Sequence, residues 1–211
     1  MHTDQLITAI AADAAPSRPF DRSFRYATAI GVAGAGVIFF AAIGPRPDLV
    51  AALGPWRFPF KFVITMPLAI TATMAILGIS RPGTWDKDSS FPLAAPLVLL
   101  AIAAVLELFL VPRSLWLVRL IGSNSVNCMT LIPLLAVIPL AAFLAVLRHG
   151  APRDPGRAGG LAGLAAAAIA ASFYAINCFD DSPLFVMTWY PLATSLVVAL
   201  GYVLGRRTLR W

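Results

Sequence analysis

Cys128 and Cys178 are the residues of this chain whose type and spacing could support chemistry. They are its only two cysteines, they lie fifty positions apart, and Asn127 and Asn177 directly precede them. Two thiols can form a disulfide or bind a soft metal such as Cu(I), but a closed structural zinc site needs four ligands. The alternative is that both cysteines are small, buried apolar residues.

The composition places these thiols in a membrane protein. Hydrophobic residues make up 59% of the chain and charged residues only 12%, with a mean hydropathy of +0.82, whereas a soluble domain is about 25% charged. The net charge of +6 comes from basic residues scattered among the loops. Such scatter is typical of orientation in a bilayer, so we expect membrane lipid, and no direct nucleic acid, among the partners.

Six apolar stretches are long enough to cross a bilayer, which takes about 20 helical residues. They cover about 26–44, 60–79, 92–110, 128–147, 159–178 and 185–204. The predicted fold class is therefore all-α, a polytopic bundle of six transmembrane helices in residues 26–211, preceded by an arm in residues 1–25. Eleven of the sixteen basic residues fall on the side of the two termini, so the positive-inside rule predicts that both termini are cytoplasmic. Helix order and oligomeric state stay open.

The predicted topology puts both cysteines at one level. Spans four and five are joined by the short stretch 148–157, so we expect them to be antiparallel neighbours. Cys128 lies twenty residues before Arg148, and Cys178 lies twenty-one residues after Arg157. At about 1.5 Å per residue, each thiol is about 30 Å above the cytoplasmic loop. We therefore expect exposed thiols at the periplasmic boundary, where they can oxidise or meet a metal.

Span five begins with a ridge of small residues, Gly159 to Gly163, which continues through Ala167 and Ala171. Small residues four positions apart let two membrane helices approach closely. We expect this ridge to serve packing rather than function.

The chain contains none of the motifs that mark an active site. Cys-x-x-Cys, Walker, His-Glu-x-x-His and Gly-x-Ser-x-Gly sequences are absent. His2 and His149 both fall on the predicted cytoplasmic side, away from the thiols. We therefore expect no enzyme and no constitutive cofactor, and a membrane redox enzyme in particular lacks its cofactor motif.

Glu107 is the only acidic residue inside a predicted span, near the outer end of span three. An intramembrane carboxylate is costly and needs a partner, and Lys61 lies at a similar predicted depth. The interpretations are an ion pair with Lys61, a protonated acid that faces lipid headgroups, or a proton or metal ligand beside the cysteines. Asp180 and Asp181 are expected to lie in a solvated loop, and the alternative is that they act as ligands beside Cys178.

The first residues predict a short amphipathic helix. Thr3 or Asp4 can cap it, Pro16 ends it, and one face carries Leu6, Ile7, Ile10 and Ala14. So short a helix is marginal alone in water, so we expect it to fold in the groove of a partner. The alternatives are an ordinary tail and a helix that lies on the membrane surface.

Taken together, these features resemble the NrsF-type membrane anti-sigma factors, six-span inner-membrane proteins that restrain an extracytoplasmic-function sigma factor. The resemblance rests on segments that follow the family pattern in order along most of the chain: Thr3 to Ile7, Asp13 to Pro16, Arg81 to Gly83, Cys128, Ile132-Pro133, Arg148 to Pro155, Gly159 to Leu164, Tyr174 to Cys178, Pro183 to Phe185, Trp189-Tyr190 and Leu209 to Trp211. Two positions depart from the pattern. Ile10 replaces a leucine, and Asn177 stands where members often carry histidine.

The resemblance implies a multi-pass protein of the bacterial inner membrane that senses metal or oxidant with Cys128 and Cys178. Its signal metal would be transient and thiophilic, such as copper. It implies a sigma factor partner, bound by the arm through Thr3, Asp4, Leu6, Ile7, Ile10 and Asp13. Auxiliary roles at the sensor would fall to Glu107, Lys61, Asn127 and Asn177.

The alternative function is a small membrane transporter for metal or solute, with Lys61, Glu107 and the thiols at its entry. Transport requires a polar path through the bilayer. The inner halves of the spans supply only scattered hydroxyls such as Thr71, Thr73 and Ser195, so the sequence favours the anti-sigma factor.

Overall fold

The computed structural model describes residues 20–80, 91–150 and 152–209, and in these residues it is helical, without strands. Six helical runs are long and apolar enough to cross a membrane: Phe20–Ile43, Arg57–Ile79, Pro92–Leu110, Arg113–Leu147, Pro155–Asn177 and Pro183–Thr208. The all-α class and the six candidate spans are thus confirmed. The arm residues proposed to bind a partner lie outside the described residues: Thr3, Asp4, Leu6, Ile7, Ile10 and Asp13.

The helices are labelled here in chain order. They are α1, Phe20–Ile38, which continues as the π-helical turn Phe39–Ile43; α2, Leu49–Ala52; α3, Arg57–Ile79; α4, Phe91–Leu110; α5, Trp116–Ile121; α6, Ser125–Leu147; α7, Pro155–Asn177; and α8, Pro183–Thr208.

The helix limits differ from the predicted spans mainly at two places. Residues 20–25, assigned to the arm, form the first turns of α1. The fourth run is interrupted between α5 and α6 by Gly122, whose φ of 59° favours glycine because a side chain would be strained there. The interruption lets α5 turn away before α6 enters the bundle.

α7 is the central helix and packs against α3, α6 and α8, while α1 packs on α6 and α4 lies at the edge against α3 and α8. The buried residues of α7 are alanine and glycine, apart from Ile169 and Tyr174. Such small side chains let neighbouring helices surround it closely. Its start is fixed by Pro155 at the first position and by Asp154, whose carboxylate accepts the Arg157 amide at 3.0 Å.

The small-residue ridge serves packing, as predicted, and its partner is a second glycine pair on α8. A Cβ on Gly159 would lie 2.7 Å from the Cα of Gly205, and a Cβ on Gly201 would lie 3.1 Å from the Cα of Gly163. No side chain fits at these crossing points, so α7 and α8 meet backbone to backbone. The chain connections 44–56, 111–124 and 178–182 meet at one end of the bundle, which we call the cysteine end.

Candidate functional site

The two cysteines lie on neighbouring helices at the cysteine end. Cys128 is in the first turn of α6, and Cys178 directly follows α7. The carbonyl of Asn124 accepts hydrogen bonds from the Cys128 amide at 2.8 Å and from the Tyr174 hydroxyl at 3.3 Å. The Cys178 amide donates to the Tyr174 carbonyl at 3.0 Å. A short chain of hydrogen bonds therefore connects the backbone at one cysteine to the backbone at the other.

The expectation that the thiols are exposed is wrong. Both side chains are 0% exposed and both thiols are free, because they belong to the apolar core together with Tyr174 and Phe185. Burial also raises the pKa of the Cys178 thiol, whereas the thiolate is the form that binds metal and attacks disulfides. A reagent must therefore displace part of this end of the bundle before it reaches sulfur.

The connection 178–182 is the centre of a polar network. Lys61, which is 0% exposed, donates to the Cys178 carbonyl at 2.8 Å and pairs with Asp181 at 2.6 Å. Arg46 pairs with the same Asp181 at 3.0 Å and donates to the Cys178 carbonyl at 3.3 Å. The backbone of the second cysteine is thus held by two cations that come from α3 and from the first connection.

Arg46 also makes an ion pair within the first connection, residues 44–56. Its guanidinium contacts Asp48 at 2.7 Å, and this hydrogen bond lowers the pKa of Asp48 and raises that of Arg46. Its charged group lies 4.7 Å from the centre of the Phe179 ring, within the range of a cation–π contact. Only 7% of Arg46 is exposed, so these partners replace water around it.

The predicted pair between Glu107 and Lys61 is wrong. Glu107 pairs with Arg119 at 2.6 Å and more distantly with Arg57 at 3.5 Å, and it accepts the Ser182 hydroxyl at 2.6 Å and the Leu184 amide at 3.1 Å. Equal depth in the membrane did not imply proximity, because the two residues face different neighbours around the bundle. Glu107 instead fastens the start of α8 to α4 and α5.

Asp180 and Asp181 do not lie in a solvated loop, contrary to expectation. Asp180 accepts the backbone amides of Ser123 and Asn124 at 2.9 and 2.8 Å. These amides precede α6, whose N-terminus favours negative charge. Asp180 therefore anchors the two residues just before the helix that carries Cys128, while Asp181 neutralises Lys61. Both aspartates are half-buried.

The two asparagines differ in their surroundings. Asn177 donates to the Gly44 carbonyl at 3.0 Å and so ties the end of α7 to the first connection. Asn127 is exposed and donates to the Asn124 side chain at 3.3 Å.

Within residues 20–80, 91–150 and 152–209, no group of three or more histidine, cysteine or acidic residues is placed to hold a metal.

Three parts of this site escaped the sequence analysis. Arg46 and Arg119 lie in connections between spans, where basic residues ordinarily indicate only how the chain is oriented in the bilayer. Arg119 follows Glu107 by twelve residues, and the short connection between their helices was a usable signal. Tyr174 lies one helical turn before Cys178, and this spacing could have marked it as a neighbour of the thiol.

The arrangement is that of a helical protein with six helices long and apolar enough to span a membrane, and with an ion-paired network beside two buried thiols at one end. The chain belongs to the NrsF family, since residues 9–211 match the family described as "Negative regulator of sigma F". It is 35% identical to a protein of Azospira oryzae (strain ATCC BAA-33 / DSM 13638 / PS) named "Probable anti-sigma-F factor NrsF". It is 31% identical to one of Caulobacter vibrioides (strain NA1000 / CB15N) named "Anti-sigma-F factor NrsF".

Both alignments cover 100% of each chain. The resemblance found in the sequence is thereby confirmed at the level of the family. No solved structure matches this chain.

Proposed function

We propose that this protein is an anti-sigma factor of the bacterial inner membrane with both termini in the cytoplasm. It holds an extracytoplasmic-function sigma factor through the arm residues Thr3, Asp4, Leu6, Ile7, Ile10 and Asp13. It releases the sigma factor when Cys128 and Cys178 bind a thiophilic metal or are oxidised to a disulfide. The observation that carries the proposal is the family match over residues 9–211. The names of the two full-length relatives support the sigma factor as partner.

The mechanism follows from the position of Cys178 inside the polar network. A disulfide forms when the two thiols pass two protons and two electrons to the oxidant, and a metal bridge forms when the metal displaces two thiol protons. Either product moves the Cys178 backbone, whose carbonyl holds Lys61 and Arg46. The disturbance then passes through the tightly packed α7 and α8 to the opposite end of the bundle.

The energies permit such a switch. To change the ratio of the releasing state to the holding state from 1:99 to 99:1, the signal must bind the releasing state more tightly by about 5.5 kcal/mol. Metal–thiolate binding exceeds about 10 kcal/mol in favourable peptide sites, so about half of it can be lost to breaking the contacts of Lys61 and Arg46. A single neutral hydrogen bond, at about 1 kcal/mol, would not suffice.

The test is affinity purification of the tagged protein from native membranes, with mass spectrometry of bound proteins before and after exposure to copper or hypochlorite. We expect a sigma factor that co-purifies and then leaves. Cys128→Ser and Cys178→Ser should each retain the sigma factor and lose the response, while the matched control Thr130→Ser, at an exposed position of α6, should respond normally. Normal release from either cysteine variant would contradict the thiol switch.

A second pair of variants tests the arm. Leu6→Asp places a charge on the predicted apolar face and should release the sigma factor without any signal. Ala12→Asp places the same charge on the opposite face of the helix, at 100° per residue, and should leave binding unchanged. If neither variant weakens binding, the arm is not the docking site; if no sigma factor co-purifies at all, the anti-sigma proposal itself fails.

A further inference from the structure

A groove of about 270 Å³ lies between α3 and α4 near the cysteine end. Two of its lining residues carry charge: Arg57, the first residue of α3, and Glu107, in the last turn of α4. The remaining lining residues are apolar or aromatic: Trp56, Phe60, Leu99, Ile102, Ala103, Leu106 and Leu110. The groove is therefore apolar along most of its length and charged at the end nearest the connections.

The length of the groove matches one leaflet of a bilayer. On α4 it extends from Leu110 to Leu99, which is about 16 Å at 1.5 Å per residue, and half of the hydrocarbon core is about 15 Å thick. Beside its charged end Trp56 is 60% exposed, as is typical of tryptophan at the level of the headgroups. The groove thus extends from headgroup level to about the middle of the bilayer.

The charged end of the groove has more positive than negative charge. Oε1 of Glu107 pairs with Arg119 at 2.6 Å and with Arg57 at 3.5 Å, so two arginines share one carboxylate. Oε2 of Glu107 already accepts the Ser182 hydroxyl and the Leu184 amide. One positive charge of this cluster is therefore left without a negative partner, and a singly charged anion would balance it.

Arg57 is the arginine of this cluster whose donors are unused. Within the described part of the chain it makes no hydrogen bond: its Nε has no partner, and 3.5 Å to Glu107 is longer than a hydrogen bond of about 2.7–3.2 Å. Its other contact is with the Trp56 ring, 5.8 Å away. Because no hydrogen bond fixes the guanidinium and 39% of the side chain is exposed, it can turn its N–H groups toward an anion at the groove.

These features together define the ligand. Its anionic group lies at headgroup level, and its apolar chain is one leaflet deep. A phosphate fits Arg57 because a guanidinium can donate two parallel hydrogen bonds to its oxygens. We propose that the groove binds an anionic phospholipid such as phosphatidylglycerol, with the phosphate on Arg57 and one acyl chain along α4 from Leu110 to Leu99.

The net charge of the lipid is part of the proposal. The ammonium group of phosphatidylethanolamine cancels the charge of its own phosphate, so this lipid would leave the charged end of the groove with its excess positive charge. Phosphatidylglycerol carries no such cation and neutralises it. The groove should therefore distinguish the two lipids by their headgroups, although their acyl chains are the same.

This binding site goes beyond the proposed anti-sigma function and does not depend on it. Glu107, the carboxylate that Arg57 shares, also accepts the hydroxyl of Ser182 in the connection that begins at Cys178. A lipid bound on Arg57 would thus adjoin the polar network around the candidate sensor.

The test is native mass spectrometry of the full-length protein, purified in detergent and titrated with dioleoyl phosphatidylglycerol or dioleoyl phosphatidylethanolamine. We expect the wild type to bind the first phosphatidylglycerol about tenfold more tightly than the first phosphatidylethanolamine, as one charge-assisted contact allows. Arg57→Gln should weaken phosphatidylglycerol binding about tenfold and so remove the preference. This variant should fold, because Glu107 keeps Arg119 at 2.6 Å.

Arg113→Gln is the matched control, since it removes the same charge from an exposed residue at the same end that does not line the groove. It should keep the wild-type preference. Ala103→Leu places a larger side chain in the groove and should weaken the binding of both lipids.

Equal phosphatidylglycerol affinity of the wild type and Arg57→Gln would overturn the proposal, as would a wild type that binds both lipids equally. So would an equal loss in Arg113→Gln, because the effect would then come from overall charge rather than from the groove. If inorganic phosphate raises the thermal unfolding temperature as much as phosphatidylglycerol does, the acyl chain contributes nothing and the lipid site is refuted.

Discussion

Replacement of Asp181 by asparagine should destabilise the cysteine end more than removal of the lysine that it neutralises. Asp181→Asn leaves Lys61 fully buried with neutral acceptors, among them the Cys178 carbonyl at 2.8 Å, and removes its negative partner. Arg46 is less affected because it keeps Asp48 at 2.7 Å. The variant thus creates one buried cation without a counter-ion.

The magnitude can be estimated from the same contacts. Removal of one partner from a buried ion pair costs about 3–5 kcal/mol, and the 22% exposure of Asp181 indicates the lower end, about 3 kcal/mol. Lys61→Met keeps the apolar stem and leaves Asp181 paired with Arg46 at 3.0 Å, so it should cost about 1 kcal/mol. In the double variant no buried cation lacks a partner, so Lys61→Met should restore about 2 kcal/mol in the Asp181→Asn background.

The assay is equilibrium unfolding in mixed micelles of dodecyl maltoside and sodium dodecyl sulfate, with the free energy of unfolding measured for the wild type, both single variants and the double variant. We expect Asp181→Asn to be the least stable of the four. The reasoning is refuted if it is no less stable than Lys61→Met, or if the losses of the two single variants add up in the double variant.

Three further predictions concern other parts of the bundle. Gly159→Ala should destabilise the protein by about 1–3 kcal/mol, because the added methyl group overpacks against α8. Gly160→Ala is the control: the nearest contact of its methyl group would be 3.9 Å away, so it should change stability by less than about 0.5 kcal/mol. Equal effects of the two variants in the same assay would contradict backbone contact between α7 and α8. Glu107→Gln should cost about 1–2 kcal/mol of stability. The loss should be smaller than for Asp181→Asn, because the cations that pair with Glu107, Arg119 and Arg57, are 29% and 39% exposed and can reach water. A larger loss would show that solvent does not reach these two arginines. Maleimide should label Cys128 and Cys178 at least about tenfold faster in unfolding detergent than in mild detergent, because both are buried; equal rates by mass spectrometry would place the thiols at the surface.

The spans were predictable because the thickness of a bilayer fixes the length of an apolar helix, whatever the rest of the fold. The level of Cys128 and Cys178 followed from the same arithmetic, which needs only a short connection and a constant rise per residue. The short helix Trp116–Ile121, which precedes the break at Gly122, was missed because six residues that include Arg119 are too few to register as a membrane span.

The partners of the charged residues were not predictable from depth. Depth places Lys61 and Glu107 at one level, but the direction in which each faces depends on how the helices are ordered around the bundle. Lys61 finds its partner in the connection after α7, where Asp180 and Asp181 read as an ordinary solvated turn. The burial of the thiols has the same origin, since it results from the apolar side chains that the packed helices place around them.

The dependence of Lys61 on the last connection has a consequence for biogenesis. Its counter-ion Asp181 follows it by about 120 residues along the chain, so at about 5–20 residues per second the lysine waits about 6–24 seconds for this partner. During this interval α3 must leave the translocon with an uncompensated cation, which its place near the helix end makes tolerable because a lysine there can extend to the headgroups. A nascent chain that ends before Asp181 would leave Lys61 without its carboxylate partner, and a buried cation without a counter-ion disfavours the packing of α3 into the bundle.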